Sequence, residues 1–223
     1  MNSVLAPSRS AAGEQELVLS SVGWDQYVTI SNALSNHRSL RLIYIDGSLT
    51  FVTKSYRHEW LAECFGYLVL AVAAGCRIGC RPVGGTTFRR QDMKAGAEGD
   101  KAFYFGAHAE ALRGLNEIDL DVSPPPDLAI EIEVTNPANA KMPTWGRLAV
   151  PEVWRFDAEG GRLTLWSRDS NGTYRAIDRS AFLPIIAPSE IVELVALWDE
   201  LDTSSWYHHV YEWVRVVLLP RMP

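Results

Sequence analysis

Two glutamates, Glu131 and Glu133, lie two residues apart in the apolar segment "DLAIEIEV". The Leu, Ile and Val of this segment predict a strand near the middle of a sheet. Because strand side chains alternate between two faces, both glutamates would share one face. A buried carboxylate is costly unless it is paired or binds a metal. The pattern therefore indicates either a divalent-cation site or a salt-bridged strand face, and the second is the more common meaning of a Glu-x-Glu pair.

Two other charged residues could complete a site with these glutamates. Asp100 opens the preceding predicted strand, and strand pairing could place it beside Glu131. Lys141 lies on the segment that follows Glu133 and could neutralise the acids. Hard oxygen ligands with few histidines favour Mg²⁺ or Mn²⁺ over zinc.

The elements that must position these residues follow from hydrophobic spacing and turn signals. Apolar residues recur at helical spacing from Arg57 to Ala74, and Gly75 is placed to end that helix. The other predictions are a short helix in "GWDQYVTISNAL", hairpins turning at Asp46-Gly47 and Asn171-Gly172, strands in "DKAFYFG", "DLAIEIEV" and "PEVWRFD", a helix-like connection in "NPANAKMPTWGRLAV", and two closing helices. This order predicts a mixed α/β domain with one sheet and helices on its faces.

Length and composition limit the class of protein. The chain has 223 residues, 47% of them hydrophobic, which fits one globular domain or one domain with an appendage. We predict a loose segment over 1–20, a domain over 21–185 and a helical extension over 186–223. The net charge of −6 shows no overall basic footprint. Three cysteines, no secretory leader and no long apolar run predict a cytoplasmic protein with reduced thiols and no membrane span.

Several motifs between about residues 40 and 170 resemble one known family. They are "IDGSLTFVTKSYRHEW", "GGTTFRRQDMKAGAEGDKAFYF", "IDLDVSPPPDLAIEIEVTN", Lys141 and "LAVPEVWRFD". In order and spacing they are similar to the Uma-two family of restriction-endonuclease-like proteins, within the PD-(D/E)xK nuclease superfamily. The resemblance implies a restriction-endonuclease-like fold, in which a mixed central sheet is flanked by helices. It also implies a Mg²⁺- or Mn²⁺-dependent endonuclease that hydrolyses DNA phosphodiester bonds.

The resemblance also assigns site residues. Asp100 matches the acid of the family's Pro-Asp, although Gly99 replaces the proline, and Glu131 matches the strand acid of (D/E)xK. Glu133 occupies the position of the superfamily lysine, and Lys141 matches a lysine on the following helix. The implied metal ligands are Asp100, Glu131 and Glu133. Lys141 would activate water, and Glu59, beside a His58 that we expect at the rim, would assist catalysis.

Basic and aromatic residues suggest partners. Arg89, Arg90 and Lys94 form a local basic cluster that could contact DNA phosphates, or could be a solvated loop face. Cutting two strands favours a homodimer, for which Trp206 and Trp213 could form a seam. Two alternatives remain open: a non-cutting DNA-binding module on a nuclease-like fold, and a homo-oligomeric interaction module with a structural salt-bridge network.

Overall fold

The computed structural model describes residues 14–37, 40–134 and 141–222. Within them the chain alternates strands and helices, as the sequence predicts. The strands are β1 (Glu16–Leu19), β2 (Leu40–Ile45), β3 (Ser48–Thr53), β4 (Cys80–Pro82), β5 (Thr87–Arg90), β6 (Ala95–Glu98), β7 (Lys101–Phe105), β8 (Leu128–Glu133), β9 (Glu152–Asp157), β10 (Arg162–Arg168) and β11 (Tyr174–Ile177). The helices are α1 (Trp24–Ala33), α2 (Tyr56–Gly75), α3 (Gly106–Ala111), α4 (Lys141–Arg147), α5 (Pro188–Ala196) and α6 (Thr203–Trp213).

A six-stranded mixed sheet carries the segment "DLAIEIEV" at its centre. The strand order is β11-β10-β9-β8-β7-β4, and β8 runs parallel to β9 and antiparallel to β7. Helix α2 packs against β8 and α6, and its apolar side chains form the main core together with those of the central sheet and the C-terminal helices. A mixed central sheet flanked by helices confirms the predicted fold class.

The prediction of one sheet was wrong, because a second, five-stranded antiparallel sheet is present. Its order is β1-β3-β2-β6-β5. Strand β6 has the sequence "AGAE", which lacks the β-branched and aromatic residues typical of strands. Packing explains this composition, since a Cβ atom at Gly96 would collide with the ring of the buried Tyr27.

The first residues of the described chain also differ from the prediction. Residues 1–20 were expected to be loose, but Glu16–Leu19 forms β1 and pairs with β3. All four of its side chains are exposed, so hydrophobic burial leaves little signal in this segment. Residues 1–13 lie outside the described part, and the division at 185 and 186 stays a prediction.

Other local predictions are confirmed. Helix α2 begins at Tyr56, where the Ser55 hydroxyl accepts a hydrogen bond from the His58 backbone N–H at 3.1 Å. Both predicted hairpins form, as β2–β3 and β10–β11. The connection "NPANAKMPTWGRLAV" is helical as α4, while its residues 136–140 lie outside the described ranges.

The C-terminal helices pack against the core. Trp206 is fully buried, and its indole N–H donates to the Leu194 carbonyl at 2.7 Å. It is therefore a core residue, and the suggested seam of Trp206 and Trp213 was wrong for Trp206. No helix among the described residues is both long enough and apolar enough to cross a membrane.

Candidate active site

Asp100 forms hydrogen bonds to the central strand β8 with both its backbone and its side chain. It lies between β6 and β7, and its N–H donates to the Ile130 carbonyl at 3.2 Å. Its Oδ2 accepts a hydrogen bond from the Ile132 N–H at 2.8 Å. These two bonds bracket Glu131 on β8. The predicted placement of Asp100 beside Glu131 is therefore what the structure has.

Glu131 is held by two residues of α4. Its Oε2 forms an ion pair with Lys141 Nζ, and its Oε1 accepts from Trp145 Nε1 at 2.8 Å. Lys141 and Trp145 are four residues apart on a helix, so they present side chains to the same side. Lys141 Nζ also lies 3.9 Å from Asp100 Oδ1. One ammonium group therefore faces both carboxylates.

Lys54 is a second buried lysine in this site, and sequence reasoning missed it. It directly follows β3, with 1% of its side chain exposed. Its Nζ lies 2.6 Å from Asp100 Oδ1 and 3.5 Å from Glu59 Oε1. The motif "IDGSLTFVTKSYRHEW" contains Lys54, but the resemblance assigned it no role. The one feature of the sequence that could have indicated Lys54 is its position between a predicted strand and Ser55, which caps α2.

His58 joins the cluster from the first turn of α2, so the expectation of a rim position was wrong. It is buried, and its Nε2 lies 2.9 Å from Asp100 Oδ2. Its Nδ1 contacts Oε1 of Glu14, a residue 44 positions earlier in the chain. Asp100, His58 and Glu14 therefore form a continuous polar chain within the fold. No local pattern links Glu14 to α2.

Burial and charge move the pKa values of this cluster in different directions. Burial opposes ionisation of Asp100, but Lys141, Lys54 and His58 together hold its pKa well below the usual range. Burial raises the pKa of Glu131 to about 7, although Lys141 acts against this rise. Burial would lower the pKa of His58, but its bonds to Asp100 and Glu14 raise it to about 9. Asp100 is therefore firmly ionised, whereas the pKa of Glu131 lies close to neutral pH.

A cavity lies above Asp100. It has a volume of about 700 Å³, and Glu59, Glu63, Glu98 and Asp100 supply its acidic lining. The Glu59 side chain is 44% exposed, whereas that of Asp100 is not exposed. Glu59 therefore stands at the entrance and Asp100 at the bottom. A substrate phosphate could approach Asp100 from this side.

The structure directs Glu133 toward a different neighbour. Its Oε1 forms an ion pair with Arg155 Nε on the adjacent strand β9. It shares a sheet face with Glu131, as strand alternation predicts. Asp127, at the entry of β8, accepts from the Phe105 N–H at 2.7 Å and contacts His108 Nδ1 at 2.7 Å. Asp127 follows three prolines, and these contacts give it a structural role at the entry of the strand.

The basic cluster of the β5–β6 hairpin is divided among different surroundings. Arg89 donates to Asn32 Oδ1 at 3.1 Å and lines a cavity of about 730 Å³. Arg90 pairs with Asp92, and its Nε donates at 3.0 Å. Lys94 occupies the turn with a φ of 45°. Adjacent strand residues point to opposite faces, so Arg89 and Arg90 cannot contact one phosphate together.

Carboxylate oxygens such as those of Asp100 and Glu131 are the donors that a hard divalent cation prefers. In the part of the chain that the structure describes, no three His, Cys, Asp or Glu side chains are grouped to hold a metal. Mg²⁺ does not need such a cage, because one or two carboxylates, waters and substrate phosphates commonly hold it. Asp100 and Glu131 offer two carboxylates, and both already face the positive charge of Lys141.

Comparison with known proteins relates this chain to nucleases. The family model described as "Uma2: Putative restriction endonuclease" matches residues 24–200. A crystal structure titled as a putative nuclease belonging to DUF820, from Anabaena variabilis, matches with a TM-score of 0.50 and 12% sequence identity. The match covers 69% of this chain and 90% of that one, and at this identity it shows the fold alone. No curated protein matches the sequence. The family supports a nuclease.

Proposed function

Since the chain belongs to the Uma2 family, we propose that it is a metal-dependent endonuclease that hydrolyses DNA phosphodiester bonds at the Asp100–Glu131 pair. The observation that carries the proposal is the burial of two neighbouring carboxylates, Asp100 and Glu131, with the ammonium group of Lys141 facing both. Burial of this kind is expensive, and structural strands rarely need it. A site for phosphoryl chemistry explains why these groups are kept together.

The side chains would divide the work. Asp100 and Glu131 would hold Mg²⁺ or Mn²⁺, which polarises the scissile phosphate and lowers the pKa of a bound water. Lys141, held against Glu131, would orient the attacking water and stabilise negative charge on the phosphate. Glu59 at the entrance would contact the same water network. Glu133 as a third ligand stays a prediction, and its ion pair with Arg155 supports a positioning role as well.

His58 and Glu14 would fix the orientation of Asp100. The His58 ring bridges the carboxylates of Asp100 and Glu14. It therefore holds Asp100 Oδ2, while Asp100 Oδ1 remains directed at the lysines. Such supporting bonds commonly set the position of a metal ligand. DNA as the substrate rests on the family, and a homodimer that cuts both strands stays a prediction.

A second function has an observation in its favour. Lys54 and Lys141 neutralise Asp100 and Glu131 without any metal ion. A structural salt-bridge network of this kind would belong to a non-cutting DNA-binding module, or to a homo-oligomeric interaction module. The two readings differ in whether Mg²⁺ binds and whether DNA is cut.

A plasmid-nicking assay with Mg²⁺ or Mn²⁺ separates these functions. We expect nicking by the wild type and its loss, by two orders of magnitude or more, in Glu131→Gln. Glu193→Gln on the exposed side of α5 is the matched control and should cut normally. Circular dichroism would verify that each variant is folded. Equal nicking by wild type and Glu131→Gln would refute the proposed site.

A further inference from the structure

A second cavity, of about 560 Å³, lies next to the acid cluster and is lined by arginines and aromatic rings. We call it the arginine cavity, and its main lining residues are Arg147, Arg155, Arg168, Trp166, Tyr174 and Met142. Helix α4 separates the two sites. Its residues Lys141 and Trp145 contact Glu131, while Met142 and Arg147 line the arginine cavity.

Strand register places the arginine cavity on the same sheet face as Glu131. Glu131 is paired with Arg155 in the parallel β8–β9 ladder, and Arg155 is paired with Thr164 on β10. Paired residues share a face, so Trp166, two positions beyond Thr164, shares it as well. Neighbouring strands are about 4.8 Å apart, so β10 lies about 10 Å from β8. Successive nucleotides rise about 3.4 Å along one strand of duplex DNA and further along an unstacked strand, so the cavity lies within about three nucleotides of the proposed cleavage point.

The charge of the arginine cavity suits an anion. Its charged lining residues are three arginines, of which Arg147 pairs with Asp46 and Arg155 with Glu133, both outside the lining. The lining of the cavity above Asp100 has four acids, one arginine and one lysine. Arg147 is anchored to Asp46, with Nη1 donating to Oδ1 at 2.6 Å, and Arg168 Nε donates to the Gly146 carbonyl at 2.8 Å. Each guanidinium has five N–H donors, so these anchors leave others for a phosphate. Among the described residues, the terminal nitrogens of Arg168 have no hydrogen-bond partner.

The rings of the arginine cavity suit a base. Arg155 lies over the Trp166 ring with 5.9 Å from Cζ to the centroid. The Tyr174 hydroxyl donates to the Val150 carbonyl at 2.6 Å, which fixes the ring at the wall. Bases of single-stranded nucleic acid stack on aromatic and guanidinium planes, while phosphates pair with arginine. A volume of 560 Å³ lies in the usual range of ligand sites, which is roughly 300–1,000 Å³.

We propose that the arginine cavity binds an unpaired nucleotide of the nucleic-acid strand, within about three positions of the cleaved bond. Its phosphate would contact Arg147 and Arg168, and its base would stack against Trp166 or Tyr174. This inference rests on the proposed nuclease function. It adds a preference for a single-stranded or unstacked segment beside the site.

Binding without cleavage tests the inference. Fluorescence anisotropy of a short fluorescein-labelled oligothymidylate is measured in EDTA with wild type, Arg168→Gln, Trp166→Leu and Arg175→Gln. Arg175 is exposed on β11 outside the cavity and serves as the matched control. We expect Trp166→Leu to weaken binding about tenfold. Arg168→Gln should lower the slope of log K against log salt by about 0.7, the value for one lost single-strand phosphate contact.

The outcomes separate the cavity from the nuclease function. Unchanged binding and salt slope in both folded cavity variants would overturn the inference, whatever the nicking assay gives. Thymidine monophosphate that binds as tightly as the oligonucleotide would also overturn it, because the cavity would then be a free-nucleotide site. Cavity-dependent oligonucleotide binding in a protein that nicks no DNA would support nucleotide binding at the arginine cavity and contradict the nuclease proposal, and with it the position relative to a cleaved bond.

Discussion

Lys54→Met tests the buried ion network with a defined energetic effect. The Lys54 ammonium lies 2.6 Å from Asp100 Oδ1, where both side chains are almost fully buried. Removing one partner of a buried ion pair costs about 3–5 kcal/mol, because the remaining charge is left without compensation. His58 at 2.9 Å and Lys141 at 3.9 Å still face Asp100. We therefore expect the lower end, about 3 kcal/mol.

Urea unfolding in EDTA at neutral pH measures this free energy. Lys101→Met is the control, since Lys101 pairs with a half-exposed Glu63 at 2.6 Å. An exposed pair of that kind contributes about 0–1 kcal/mol. The double variant Lys54→Met/Asp100→Asn removes both charges and should recover most of the loss, which reveals their coupling.

The pH dependence of the Lys54→Met effect has a defined sign. The wild-type pKa of Asp100 is held well below its usual range, in spite of burial, by Lys141, Lys54 and His58. A carboxyl with a lowered folded pKa stabilises the protein above its unfolded pKa, and this stability is lost as the pH falls through the folded pKa. Without Lys54 that pKa rises, so the cost of the substitution should shrink in acid. A cost below 1 kcal/mol at neutral pH, or equal costs for Lys54→Met and Lys101→Met, would refute the ion network.

Two other predictions concern the thiols and the contact between α4 and the β10–β11 turn. Burial raises the pKa of Cys80 to about 12 and that of Cys64 further still, so a disulfide reagent at pH 8 should label the native protein slowly and the urea-unfolded protein rapidly. Rapid labelling of these thiols in the native protein would contradict their burial. Gly146→Ala would place a Cβ against the Gly172 carbonyl oxygen, so it should cost about 1–3 kcal/mol in urea unfolding. Ala149→Gly, in the same connection at a φ of 62°, should cost nothing, and equal losses in both variants would contradict this packing.

The sequence predicted those parts of the fold that have strong local signals. The Asp46-Gly47 turn gave the β2–β3 hairpin, and helical spacing gave α2 within one residue at each end. Strand alternation placed Glu131 and Glu133 on one face. Asp100 and Lys141 were located by their positions next to predicted elements, and the structure brings both to Glu131.

The missing parts depend on contacts between distant segments. Strand β6 consists mostly of small residues, and the ring of Tyr27 packs against Gly96. This segment is therefore a strand because of its packing and not because of its intrinsic β propensity. Glu14 reaches His58 across 44 residues, and Lys54 reaches Asp100 only because two sheets meet there. Glu133 turned toward Arg155 because β9 lies parallel to β8, which no local pattern specifies.

Calorimetric titration of Mn²⁺ tests the central claim most directly. Wild type and Glu131→Gln are titrated under the same conditions, and the nicking of plasmid DNA is recorded on the same samples. The proposed site predicts that wild type binds Mn²⁺ and nicks DNA, and that both properties are lost together in the variant. Absence of Mn²⁺ binding by folded wild type, or equal binding by both proteins, would contradict a metal-dependent site at Asp100 and Glu131.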